Sequence, residues 1–247
     1  MNSPVRDYVC VDLETTGLHP KTDKIIEIGA VRVRKGKVEE TWQSLVNPGR
    51  ELTERTRQIT GISQDEVDHA PEIGQVLPLL LDFLRKDVLV GHSLLFDFSF
   101  LKKAAVNAGV SFEACGIDTL KLARKYLPEL PSRNLGELCR HFDIPHQAHR
   151  ALGDAQATAA LYELFCEKFY EEKPFAPVPL IFHVKKEGPA SRAQKERLQR
   201  LAALYKTQLS VDVEKLTRNE ASRLADQLIA RYGKVPQTVE NPEKARK

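Results

Sequence analysis

Two carboxylates near the start of the chain are the first side chains that could do chemistry. Asp12 and Glu14 stand two residues apart at the polar end of an apolar run, Tyr8–Glu14 (YVCVDLE). Side chains at that spacing point to the same face of a strand. Neighbouring carboxylates resist joint ionisation unless a cation compensates them. Because Asp-x-Glu is also common at solvated strand ends, the pair indicates a divalent-metal site only if further acids converge on it.

Two further acids occur where helices are predicted to begin. Asp97 ends the segment GHSLLFD, where a strand gives way to a helix, and it is flanked by Phe96 and Phe98. That setting is unusual for a merely solvated charge. Asp154 ends the segment HRALGD, at the start of the longest predicted helix. Four acids that are distant in sequence thus become candidates for one metal site.

A histidine accompanies the fourth acid. His149 precedes Asp154 by five positions, and helical residues at that spacing are about 140° apart around the axis. His149 therefore cannot share a helix face with Asp154, and we expect it to project from the loop or the first turn. The alternative for His149 taken alone is an ordinary surface histidine.

The motifs resemble, in order and separation, those of the DEDDh (DnaQ-like) 3′→5′ exonucleases of the RNase H-like superfamily. The resemblance covers roughly Tyr8 to Tyr170. The matching residues are Val11-Asp12-Leu13-Glu14-Thr15-Thr16-Gly17, then Gly91-His92-Ser93 with Phe96-Asp97, then His149 with Asp154. Three linked motifs in one order are far more specific than any one of them.

The resemblance implies a role for each acid and for the histidine. Two divalent ions, Mg²⁺ or Mn²⁺, would be held by four carboxylates, namely Asp12, Glu14, Asp97 and Asp154. Such hard cations prefer oxygen ligands. His149 would be the general base that takes a proton from the attacking water, a task that suits an imidazole titrating near pH 6.5.

The resemblance also implies substrate contacts. The backbone of Thr15, Thr16 and Gly17 would approach the terminal 3′-OH. Side chains that would meet the terminal nucleotides are Leu18, Ile59, Thr60 and Phe96. For Leu18 and Ile59, packing in the core is nearly as good an explanation. The second motif departs from the family pattern, because Ser93 stands where asparagine is common, and we expect altered substrate positioning rather than lost catalysis.

The elements that must position these residues form an α/β pattern. Predicted strands are Tyr8–Glu14, Ile25–Val33, Thr41–Val46 and Val88–Gly91, with a hairpin turn at Lys35-Gly36-Lys37. Predicted helices are Ser63–Val67 (a short turn), Pro71–Leu84, Leu95–Ala108, Ile117–Tyr126, Leu135–Phe142 and Ala151–Tyr170. The resemblance implies an RNase H-like mixed five-stranded sheet flanked by helices.

A change of composition divides the chain. Residues 1–173 are predicted to form the exonuclease domain, and the proline-rich segment 174–189 a linker. Residues 190–233 are predicted to form a small helical module. Its two helices, Ser191–Lys206 and Thr217–Gly233, each begin with a capping box. Residues 234–247 are expected to be disordered.

Composition favours a soluble, cytoplasmic protein. The net charge of +3 divides into +6 for Ala190–Lys247 and −3 for the rest, and a basic segment is attracted to phosphates. No apolar run approaches the roughly 20 residues needed to span a bilayer, and the N-terminus lacks the features of a signal peptide. The four cysteines are scattered without a CxxC pair, and we expect them to be reduced.

The sequence thus predicts a 3′→5′ exonuclease that acts on the 3′ end of a single nucleic-acid strand, with DNA favoured. A polymerase or another replication or repair protein is an expected partner, a membrane is not, and no oligomeric state is predicted. One alternative is an exoribonuclease that trims RNA 3′ ends. The other is a catalytically silent nucleic-acid-binding adaptor, which should have lost metal ligands, whereas all four acids and the histidine are present.

Overall fold

The computed structural model describes residues 3–209 and 211–233, so the disorder expected for 234–247 lies outside the described residues. The chain divides into two compact units. The first contains the described residues up to Pro48 together with Leu52–Lys185. The second contains Gly49–Glu51 and the described residues from Lys186 onward.

The first unit is built on a mixed six-stranded sheet with strand order β3-β2-β1-β4-β5-β6. The strands are β1 (Tyr8–Thr15), β2 (Ile25–Arg34), β3 (Lys37–Leu45), β4 (Val88–Gly91), β5 (Cys115–Asp118) and β6 (Val178–Pro179). The first three form the predicted antiparallel meander. β4 runs parallel to β1, and β5 runs parallel to β4. This is the predicted α/β class.

The apolar character of β1 follows from its burial on both faces. Tyr8 and Cys10 belong to one apolar cluster and Val9 and Val11 to another, because alternate side chains of a strand point to opposite faces. Seven helices flank this sheet in the described part of the chain: α1 (Glu54–Thr60), α2 (Gln64–Asp68), α3 (Ile73–Leu84), α4 (Leu95–Ala108), α5 (Thr119–Tyr126), α6 (Leu135–His141) and α7 (Ala151–Phe169).

Two short elements between β3 and α6 were not predicted. Helix α1 begins after Thr53, whose side chain accepts a hydrogen bond from the Thr56 amide, and it ends at Gly61, which has a φ of 69°. Strand β5 occupies part of the segment predicted as helix from Ile117, so the helix begins instead at Thr119. Both elements are too short for a periodic pattern to show them.

The predicted linker is largely part of the first unit, which corrects both its boundary and the strand number. Phe175 is buried in the core, Val178–Pro179 pairs with β5, and the amide of Leu180 donates to the carbonyl of Ala114. Proline is tolerated in β6 because an edge strand needs no donor on its outer side. The sheet therefore has six strands rather than five.

The second unit contains the two predicted helices, α8 (Arg192–Leu204) and α9 (Arg218–Tyr232), with a 3₁₀ turn at Val213–Lys215 between them. Both predicted capping boxes are present. The unit has an apolar cluster of its own, which includes Leu198, Leu201, Ala221, Ala225 and Leu228. Among all the described residues, no helix combines the length and apolar character needed to cross a membrane.

Candidate active site

Three of the four predicted acids meet at the end of β1. Asp12, Glu14 and Asp154 each offer a carboxylate oxygen, and these oxygens lie within 4.8 Å of one another. Asp12 and Glu14 come from β1, and Asp154 comes from the first turn of α7. The contact joins residues about 140 positions apart in the chain. It forms a compact all-oxygen cluster.

Gly29 allows α7 to reach this position. In the antiparallel register, Asp12 lies opposite Gly29 on β2. A Cβ atom on Gly29 would lie 2.2 Å from the backbone of Ala151 and Leu152. Only a residue without a side chain lets the start of α7 approach the sheet so closely. That approach sets Asp154 beside Asp12.

The fourth acid, Asp97, adjoins the cluster at the start of α4. Its side chain is 3% exposed, and its Oδ1 accepts a hydrogen bond of 3.1 Å from the amide of Leu13. Leu13 separates Asp12 from Glu14, so Asp97 is fixed to the strand that carries them. Burial raises the pKa of Asp97 well above its usual range.

The cluster carries more negative charge than the protein compensates. Burial, and then the nearby carboxylates of Asp97 and Asp154, raise the pKa of Asp12 well above its usual range. The pKa of Glu14 is raised to about 7 by burial and by the negative charges of Asp154 and Glu27, against the opposing positive charge of Arg150. Clustered carboxylates among which the pKa values of Asp12 and Glu14 are raised fit hard divalent cations, whose charge would offset the repulsion.

The predicted base stands outside this cluster. His149 is exposed in the residues before α7, with a φ of 64°, so it projects from the loop as expected. A histidine that sequence reasoning missed contacts the cluster instead. The Nε2 of His146 lies 2.6 Å from Oδ1 of Asp154, and the two side chains are only 10% and 12% exposed. The only indication of this contact in the sequence was that a second histidine, His146, lies three residues before His149 and eight before Asp154.

An ion pair between the buried Glu27 and the partly exposed Arg150 was also missed. Glu27 is 3% exposed, and its Oε1 accepts a 2.8 Å hydrogen bond from Nη2 of Arg150. Its Oε2 accepts a 2.9 Å hydrogen bond from the amide of Ala151, the first residue of α7. Glu27 lies opposite Glu14 in the sheet. The sequence did contain an indication of this pair, because Glu27 is the one charged residue in the apolar run IIEIGAV. A charge in such a strand is buried and needs a partner.

The residues after β1 form a turn held by their own hydrogen bonds. The Thr15 hydroxyl donates to the carbonyl of Gly17 at 2.7 Å, and the Thr16 hydroxyl accepts from the amide of Lys24 at 3.0 Å. A Cβ on Gly17 would lie 2.6 Å from the Asp23 carboxylate. The turn therefore presents backbone beside the carboxylates, and the hydroxyls are used internally.

The remaining predicted substrate residues differ in exposure. Leu18 is 76% exposed and Ile59 45% exposed, so the core-packing explanation for these two is wrong. Phe96 is half-buried and packs against Phe100, with ring centroids 5.1 Å apart. Thr60 departs from expectation, because it is 4% exposed and its hydroxyl donates to a carbonyl one turn earlier in α1. Its side chain serves α1 rather than a ligand.

The second motif fixes the turn between β4 and α4. The His92 Nε2–H donates to the Arg133 carbonyl at 2.8 Å, and Nδ1 lies 3.0 Å from the Thr119 hydroxyl. Burial lowers the pKa of His92, which keeps the ring neutral. Ser93 has a φ of 70°, a conformation that asparagine tolerates better than serine. The presence of Ser93 where the family has asparagine therefore concerns the backbone conformation of this turn first.

Comparison with known proteins gives the same assignment as the motifs. A family model described as "Exonuclease" matches residues 9–162. The chain is 35% identical over 165 residues to the DNA polymerase III subunit epsilon of Aquifex aeolicus, covering 66% of this chain and 82% of that protein. It is 36% identical over 167 residues to the DNA polymerase III PolC-type of Clostridium perfringens, which is 67% of this chain but only 12% of that protein.

Solved structures agree with the fold. A complex of Exonuclease X with 5′ overhanging duplex DNA matches with a TM-score of 0.54 and 26% identity, over 68% of this chain and 97% of that chain. The nuclease domain of 3′hExo, a DEDDh family member bound to rAMP, matches with a TM-score of 0.58 and 21% identity, over 68% and 96% of the two chains. Both matches are to nucleases.

Proposed function

The chain belongs to the exonuclease family, and we propose that it is a metal-dependent 3′→5′ exonuclease that releases nucleoside monophosphates from the end of a single strand, with DNA preferred. The observation that carries this proposal is the meeting of the Asp12, Glu14 and Asp154 oxygens within 4.8 Å. Motif similarity alone would not support it if these acids lay apart. The names of the polymerase relatives support DNA as substrate and a polymerase as partner.

Two divalent ions, Mg²⁺ or Mn²⁺, would be held by Asp12, Glu14, Asp97 and Asp154, and would polarise the scissile phosphate and lower the pKa of water. The protein fixes two of these acids by hydrogen bonds, Asp97 from the amide of Leu13 and Asp154 from the amide of Arg150. Rigid placement matters because ligands fixed in advance need no reorganisation during the reaction.

In the hydrolytic step, His149 takes the proton of the attacking water. The water oxygen forms a bond to phosphorus, the bond between phosphorus and the departing 3′ oxygen breaks, and that oxygen takes a proton from solvent. The exposed position of His149 suits this task, because the ring can accept a proton from water in the site and release it to solvent.

The terminal nucleotides would meet apolar side chains at the edge of the site. Leu18 and Ile59 are exposed, and Phe96 lies beside Asp97 at the start of α4. Apolar and aromatic contacts accept any base, since every base has a π-face. The internally bonded turn from Thr15 to Gly17 supplies backbone for the 3′-OH. These contacts fit an enzyme without sequence preference.

The proposal is tested with a 5′-labelled single-stranded DNA oligomer and a matched RNA oligomer. With Mg²⁺ or Mn²⁺ we expect a ladder that shortens from the 3′ end, faster on DNA than on RNA, and no products with EDTA. Asp12→Asn is the matched inactive control, because it keeps the shape of the side chain and removes its charge. Faster loss of RNA would make the protein an exoribonuclease, and absence of any metal-dependent degradation would favour the silent adaptor.

A further inference from the structure

We propose that His146 and Arg150 are positioning residues, which fasten the loop carrying His149 to the carboxylate site from both sides. This inference rests on the proposed function and adds to it His146, Arg150 and the partner of Arg150, Glu27. His149 is exposed, so nothing in its own burial fixes its place. Its position must come from the residues before and after it.

The first anchor is the contact of His146 with Asp154. The distance from Nε2 to Oδ1 is 2.6 Å, and the imidazole is 90% buried, since its side chain is 10% exposed. The other oxygen of Asp154, Oδ2, accepts a 3.1 Å hydrogen bond from the amide of Arg150. Both oxygens of this acid are therefore oriented by the segment that contains His149. Partners of this kind set the direction of a ligand's free lone pairs.

A close backbone contact strengthens the first anchor. A Cβ on Gly153 would lie 2.9 Å from the carbonyl oxygen of Gln147, so the loop folds back onto the first turn of α7. Glycine at this position makes room for that carbonyl. Two consecutive loop residues, His146 and Gln147, therefore contact the first turn of α7.

The second anchor is the pair formed by Arg150 and Glu27. The guanidinium makes contacts of 2.8 Å, 3.2 Å and 3.3 Å with the carboxylate, and the same carboxylate caps α7 through the amide of Ala151 at 2.9 Å. Such a charge-assisted fork is directional. Because Glu27 is on β2, opposite Glu14, it ties the residue next to His149 to the strands of the metal site.

The two anchors predict separable effects. His146 contacts a metal ligand, so its loss should weaken metal affinity as well as turnover. The Arg150 side chain hydrogen-bonds to Glu27 rather than to a metal ligand, so its loss should chiefly lower kcat by releasing the residue next to it, His149. His149 lies between them with a left-handed φ of 64°, a conformation that persists only when its surroundings impose it.

The first experiment measures hydrogen exchange of residues 145–151 and Mn²⁺ affinity by calorimetry, neither of which needs nuclease activity. His146→Ala should weaken Mn²⁺ binding about 10- to 100-fold and speed amide exchange roughly tenfold. His146→Gln, which keeps an N–H donor, should restore most of both. The matched control is His141→Ala, an exposed histidine packed on Phe142, which should change neither.

The second experiment measures kcat and KM on single-stranded DNA. Arg150→Ala and Glu27→Gln should each lower kcat about 10- to 100-fold with KM within about threefold, and the double variant should be no worse than either single variant. Arg34→Ala, which breaks the 2.6 Å pair with Asp87 at the other end of β2, is the control for generic loss of an ion pair.

The outcomes separate this inference from the proposed function. An active wild type whose His146 and Arg150 variants keep normal exchange, Mn²⁺ affinity and kcat overturns the inference alone. Additive losses in the double variant overturn the coupling of Glu27 to Arg150. A wild type that degrades no oligomer overturns the proposed function, and the inference falls with it.

Discussion

Replacing Glu14 by glutamine should stabilise the metal-free protein at alkaline pH. The pKa of this carboxyl is raised from 4.5 to about 7 by burial beside Asp154 and Glu27. The folded protein therefore binds the proton more tightly than the unfolded chain does. The contribution of Glu14 to stability is complete below pH 4.5 and is lost as the pH rises through about 7. Glutamine has nearly the same shape and no charge to bury.

The size of the effect follows from the two pKa values. The difference between 4.5 and about 7 corresponds to about 3 kcal/mol in the free energy of unfolding above pH 8. Solvent screening of this incompletely buried side chain reduces the figure to about 2 kcal/mol. For a domain of this size we expect the midpoint of thermal unfolding to rise by about 4–8 °C.

The assay is calorimetric unfolding in EDTA at pH 5 and at pH 8. The gain of Glu14→Gln over the wild type should be large at pH 8 and small at pH 5. With saturating Mg²⁺ at pH 8 the gap should close, because only the wild type keeps the full ligand set. Glu129→Gln, at an exposed position, should change nothing. A Glu14→Gln midpoint at or below that of the wild type at pH 8 would refute the reasoning.

Three further predictions concern single side chains. Gly29→Ala should lower the free energy of unfolding by about 3 kcal/mol in urea titrations, because its Cβ would meet the α7 backbone at 2.2 Å; a change below about 1 kcal/mol would contradict that close approach. Ser93→Asn should raise the stability by about 1 kcal/mol, measured as an increased melting midpoint, and a lower midpoint would mean that the serine side chain is itself required. His149→Ala should reduce kcat at least about 100-fold with Mn²⁺ affinity unchanged in calorimetry, and full activity would remove His149 as the base.

The parts of the fold that the sequence predicted are those that depend on residue patterns within a single helix or strand. The run Tyr8–Glu14 is apolar at successive positions because alternate residues enter two different cores. The short strand Val88–Gly91 was predicted with its observed bounds. Both capping boxes of the second unit were predicted because their polar partners are three residues apart. The placing of Asp12 and Glu14 on one face followed from the same two-residue period.

The parts that sequence missed depend on contacts between distant segments. Glu27 and Arg150 are 123 positions apart in the chain, and no periodicity joins a residue of β2 to the start of α7. His146 is three residues from His149, yet which of the two meets Asp154 depends on how the loop folds over Gly153. The prolines that indicated a linker were compatible with an edge strand, because the apolar residues between them find a core to pack against.

The roles of the acidic residues in and beside the site follow from the groups that balance the negative charge of each one. Glu27 accepts hydrogen bonds from a guanidinium and a helix amide, so the protein itself balances its charge and the residue serves the architecture. Asp12, Glu14 and Asp97 keep raised pKa values in the same surroundings. Their charge needs a cation from outside the chain. Because Glu27 lies directly opposite Glu14, one pair of strands carries both a ligand for that cation and the anchor for the helix that completes the site.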